Sequence, residues 1–82
     1  MNTAGIVEID LHGMNCTQAR TRIDAALRRS TRGVYRIRLI HGYNGGTALR
    51  DMIRRQYRSH PQILRVEFGM NPGETDLVLR EF

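Results

Sequence analysis

VEIDLHGMN at residues 7–15 and RIRLIHGYN at residues 36–44 are two versions of one arrangement, a short apolar strand that runs into His-Gly. His12-Gly13 and His41-Gly42 stand one strand-helix unit apart. If each strand is followed by a helix that crosses back, the two strands pair in parallel and their carboxyl ends lie side by side, where open α/β sheets place ligand sites. The reading therefore predicts two imidazoles facing one cleft. Near neutral pH one such ring can accept a proton while another donates one.

The rest of the chain is read outward from this pair. Within residues 6–12, Val7, Ile9 and Leu11 alternate with Glu8, Asp10 and His12, the period of a strand with one buried face, so Asp10 and His12 share the polar side. Asn15 or Thr17 can cap a helix to about residue 31, in which Ala19, Ile23, Ala26 and Leu27 follow helical spacing, Asp24 can pair with Arg28, and Gly33 suits termination. A second strand over 34–41 sets Tyr35, Ile37 and Leu39 against Arg36 and Arg38. A helix capped by Thr47 follows to about Ser59, with Leu49, Met52, Ile53 and Tyr57 as its buried stripe, and His60-Pro61 closes it. Two further strands, 64–69 and 76–81, flank the turn residues of MNPGET as an antiparallel hairpin. The order βαβαββ predicts an α/β (α+β) two-layer sandwich, a four-stranded mixed sheet with two helices on one face and the other face partly open. Glu8, Asp10, Arg36, Arg38 and Glu67 would line that open face.

The 82 residues fit one domain spanning 1–82. Thirteen arginines and no lysine stand against eight acids, giving a net charge of +5 and a pI near 10.7, which favours phosphate-bearing partners. One cysteine, Cys16, excludes an internal disulfide; with His60 it is read as structural. The first residues lack the pattern of a secretory signal and no apolar run is long enough to cross a bilayer, so the expectation is a cytoplasmic protein without a membrane partner.

Three stretches, IDLHG at 9–13, LIHGYNGGTALR at 39–50 and PGETDLVL at 72–79, resemble the signature segments of the Smr domain, the small MutS-related domain. The resemblance covers nearly the whole chain and implies the stand-alone form. Smr domains are associated with nucleic-acid binding and with endonucleolytic nicking or cleavage of DNA or RNA. Carried over position by position, the resemblance implicates Asp10, His12, Gly13, His41, Gly42, Gly46 and Arg50. The loop departs from the family's usual His-Gly-x-Gly-x-Gly: Asn44 replaces the middle glycine, Tyr43 stands where a basic residue is often found, and the spacing to Leu49-Arg50 is one residue longer.

Read as chemistry, Gly42, Tyr43, Asn44, Gly45, Gly46 and Thr47 form a loop leading to a helix N-terminus whose amides can receive a phosphate, with Arg50 in the first turn. The alternative is an ordinary connection rich in turn residues. Asp10, His12 and His41 are the candidate catalytic residues: either imidazole can act as base or acid, and Asp10 can orient one of them. Their bland alternatives are strand-end hydrogen bonds for the histidines and a surface ion pair with Arg36 or Arg38 for Asp10. Arg50, Arg54 and Arg58 recur every fourth residue, Asp51 being free to pair with Arg55, and form either a phosphate-tracking ridge or a solvated face. Tyr43 can stack on an unpaired base or pack on the domain. No dedicated metal cage is expected and no cofactor is required, although a magnesium or manganese ion bridging Asp10 and substrate phosphate is compatible with the residues.

The expected function is nucleic-acid binding with endonuclease activity on RNA or DNA. A non-catalytic nucleic-acid- or ribosome-binding module and a protein-interaction domain using the open sheet face are the alternatives. DNA against RNA, strandedness and oligomeric state are left open by the sequence.

Overall fold

A computed structural model describes residues 2–42, 47–69 and 71–81. In chain order the elements are β1 (Asn2–Thr3), β2 (Ile6–Asp10), α1 (Cys16–Arg29), β3 (Arg36–Ile40), α2 (Ala48–Tyr57), β4 (Arg65–Glu67) and β5 (Glu74–Val78). The expected four-stranded mixed sheet is present in the order β2-β3-β5-β4, with the two-residue β1 added beside β2. β2 and β3 are parallel with Asp10 opposite Ile40, and β5 lies antiparallel to both β3 and β4. The carboxyl ends of β2, β3 and β4 consequently share one edge of the sheet.

Alternation fixes the two faces. Ile9, Leu11, Ile37, Leu39, Leu77 and Leu79 turn toward the helices and join Ala19, Ile23 and Leu27 of α1 and Ile53 and Tyr57 of α2 in one core. Full burial of one such Leu or Ile is worth about 1.5–3 kcal/mol. The α1 stripe recurs at every fourth position, one line along a helix. Asn15 starts that helix with a capping box: its side chain accepts from the Gln18 N–H at 2.8 Å, and the Gln18 side chain accepts from the Asn15 N–H at 3.0 Å. Gly5, at φ +91°, turns β1 into β2, and a Cβ there would lie 2.7 Å from the Tyr35 ring.

On the open face Asp76 is buried between two arginines, 2.6 Å from Arg36 and 3.1 Å from Arg38. Arg36 also reaches Glu67 at 2.9 Å, and Arg65 joins Glu67 at 2.7 Å and Glu81. Asp76 is the main cause of the raised pKa of both Arg36 and Arg38. Both arginines are thereby committed within the sheet, and Asp10 pairs with neither.

Three local expectations are corrected. The last strand starts at Glu74 and not at residue 76, because Asn71 ties the turn early: its Oδ1 accepts from Gly73 N–H at 2.9 Å and its carbonyl from Glu74 N–H at 3.1 Å. The strand ends where the Leu79 and Arg80 amides both reach the Tyr35 carbonyl. Asp24 does not pair with Arg28; it accepts a 2.7 Å hydrogen bond from the Tyr57 hydroxyl across the two helices. Burial, first, and then Asp24 push the Tyr57 phenol well above its ordinary pKa. No helix among the described residues is long and apolar enough to cross a membrane.

Candidate nucleic-acid interface

The first His-Gly sits in a β-turn. Met14 N–H donates to Leu11 O at 3.0 Å, and Gly13, at φ +83°, occupies the third position, which demands a positive φ in a type II turn. His12 is the second residue and stands at the outer corner. Its side chain is 79% exposed, and Asp10, 67% exposed, lies below it. Asp10 Oδ1 accepts the His12 backbone N–H at 3.0 Å and stands 3.8 Å from Nδ1 of the ring. The carboxylate thus holds the turn and stands beside the imidazole.

The second His-Gly is built differently. His41 and Gly42 N–H both donate to Gly73 O, at 2.9 and 3.0 Å, which pins the end of β3 to the turn before β5. The ring is buried on the helix-facing side, with Nδ1 2.7 Å from Gly42 O and Nε2 2.8 Å from Thr75 Oγ1. A carbonyl oxygen can only accept, so Nδ1 carries the proton; in the neutral ring Nε2 accepts from the Thr75 hydroxyl. Both nitrogens are therefore occupied. The two imidazoles share one edge of the sheet, but His12 alone is open to solvent.

Helix α2 begins just beyond. Unlike α1, its N-terminus has no side-chain cap among the described residues: the Thr47 hydroxyl donates to Asp51 Oδ2 at 2.9 Å rather than serving a backbone amide. Uncapped first-turn amides suit an anion. Arg50 is one-third exposed in that turn, with Nε 3.4 Å from Asp51 Oδ1. Asp51 therefore pairs with Arg50 and not with Arg55, a correction to the simplest helical spacing. Thr47 and, second, Arg50 hold the Asp51 carboxyl below its ordinary pKa. Farther along the ridge, Arg54 lies 3.7 Å over the centre of the Phe68 ring and Arg58 is exposed. Asp51, Arg54, Arg55 and Arg58 line a shallow cavity of about 250 Å³.

Tyr43, Asn44, Gly45 and Gly46 lie outside the described residues. Sequence reasoning missed Gly73 and Thr75, which anchor His41, although both fall in PGETDLVL. It also passed over Phe68. Among the described residues no three His, Cys, Asp or Glu side chains gather as metal ligands.

The Smr domain family model matches residues 9–75. Among solved structures, the crystal structure of the Smr domain of Thermus thermophilus MutS2 superposes with a TM-score of 0.81 at 30% sequence identity, covering 92% of this chain and 99% of that one. No curated protein matches the chain.

Proposed function

The chain belongs to the Smr domain family, a family of nucleic-acid-binding and nuclease-type domains, and we propose that it binds nucleic acid across the carboxyl edge of β2 and β3 and cleaves phosphodiester bonds there. The observation that carries this reading is the exposed Asp10–His12 pair, at the end of the strand that lies parallel beside β3, the strand that precedes the Arg50-bearing start of α2. Arg50 and the α2 amides hold the phosphate and offset the charge that builds on its oxygens. His12 handles the proton. On RNA, it takes the proton of a ribose 2′-hydroxyl as that oxygen bonds to phosphorus; the bond to the 5′-oxygen breaks, and the leaving oxygen is protonated by an acid or by water. Asp10 steadies the ring and the positive charge it acquires. His41 is a positioning residue, setting the direction in which the chain leaves β3.

On DNA the nucleophile is water, which asks for more activation. A magnesium or manganese ion held by the exposed Asp10 carboxylate together with substrate oxygens would supply it as a Lewis acid. Metal dependence thus reports on substrate. The test is incubation of purified protein with end-labelled single-stranded RNA, duplex RNA and supercoiled DNA, in magnesium, manganese or EDTA. Turnover of one substrate that is lost in His12→Ala supports the proposal. Salt-sensitive binding without turnover would reduce it to a binding module, the ribosome being one candidate partner; absence of any binding would sink it.

A further inference from the structure

We infer that Phe68, backed by Arg54, is a stacking platform for an unpaired base, so that this edge of the sheet takes single-stranded nucleic acid. The inference rests on the nucleic-acid reading above and names the strandedness of its ligand. Phe68 follows β4 directly and is 54% exposed, an uncommon setting for a phenylalanine in a chain with only two. Because β4 runs parallel to β2 and β3, Phe68 lies toward the same carboxyl end of the sheet as His12, three strands across. A single strand of several nucleotides can bridge that width of sheet.

The surroundings of the ring select a base over other apolar groups. The Arg54 guanidinium covers one face of Phe68 at 3.7 Å, so the aromatic is already held flat between a cation and solvent. Arg54 Nε is buried with no hydrogen-bond partner among the described residues, which fits a guanidinium positioned by stacking. A base laid on the open side would extend the stack, and its phosphates would pass the cations of Arg55 and Arg58 that line the adjoining cavity. Those charges, in a chain of net charge +5, oppose a cationic peptide and favour a polyanion. Stacking needs a free π-face, which a paired base inside a duplex does not offer; selectivity for single strands follows.

The chain has no tryptophan, so Phe68→Trp installs a single tryptophan at the platform, which can be excited selectively over the three tyrosines. Titration with a single-stranded RNA of about ten nucleotides, within the usual site size of such grooves, is expected to quench it, whereas duplex RNA of the same sequence leaves it unchanged. In parallel, Phe68→Ala is expected to lose about tenfold in affinity for the single strand while its duplex affinity and melting temperature hold. Phe68→Leu, which retains bulk but no π-face, is expected to behave as Phe68→Ala does. Wild-type binding of nucleic acid that neither variant weakens overturns the platform while leaving the proposed function standing. Failure of the wild type to bind any nucleic acid overturns both.

Discussion

His12 stands at the corner of a β-turn with 79% of its side chain exposed, whereas His41, one strand away at the same edge, is 7% exposed and hydrogen-bonded through both ring nitrogens. The dipeptide is the same and the phase is not. In VEIDLHG the apolar positions are 7, 9 and 11, so His12 falls on the polar beat with Asp10; in RIRLIHG they are 37 and 39, so His41 falls on the apolar beat. The register repeats this offset: Asp10 is opposite Ile40, and the next step brings Leu11, not His12, level with His41. A repeated motif thus leaves one ring exposed at the corner of a turn and builds the other into the edge of the sheet. An exposed imidazole can meet a substrate, and a buried one with two fixed partners can hold a loop start in place.

The comparison is broken or sharpened by substitution. The largest effect is expected at His12→Ala, where loss of the acid–base group should lower cleavage about a hundredfold or more while nucleic-acid affinity and melting temperature stay near wild type. His41→Ala and Thr75→Val should reverse the pattern. Each leaves a buried polar partner unsatisfied, at about 1–3 kcal/mol, readable as a lower midpoint in urea unfolding. Next come Gly13→Ala and Gly42→Ala. Both glycines have positive φ, +83° and +73°, and a Cβ at either would meet nothing within 4 Å among the described residues, so both should cost about 1–2 kcal/mol through the backbone alone. Unequal costs would show that the two turns differ in more than their histidines.

The smallest expected effect lies on the open sheet face and concerns pH. Arg65 and, second, Arg36 depress the pKa of Glu67 below its ordinary value. A carboxyl whose folded pKa is lowered stabilises the fold above its unfolded value and loses that contribution as pH falls through the folded one. Glu67→Gln should therefore flatten the acid limb of the stability profile below about pH 4.5 and leave cleavage unchanged. Melting curves recorded from pH 7 down to pH 3 check it. A change in cleavage would tie the open face to the site.

Much of this was legible in the residues. Alternation named the sheet positions of the core, helical spacing named Ile23, Leu27, Ile53 and Tyr57, and the two His-Gly runs named the edge at which candidate side chains gather. Strand phase in the same letters separates His12 from His41, although the shared dipeptide makes them look equivalent. What was not legible depends on contacts across the sheet. Thr75 reaches His41 only because β5 lies beside β3, Asp24 meets Tyr57 because two helices cross, and Asp76 lies between two arginines of a neighbouring strand. Phe68 reads as one more strand residue until the edge position of β4 and the reach of Arg54 leave one of its faces open.

The most direct test of the unequal pair is acylation of the native protein with diethyl pyrocarbonate, following modification of each histidine by peptide mass spectrometry alongside residual cleavage activity. The account predicts that His12 is modified first, that turnover disappears in step with it, and that His41 stays protected until the protein unfolds. Modification of His41 at the rate of His12, or activity that survives complete modification of His12, would contradict it.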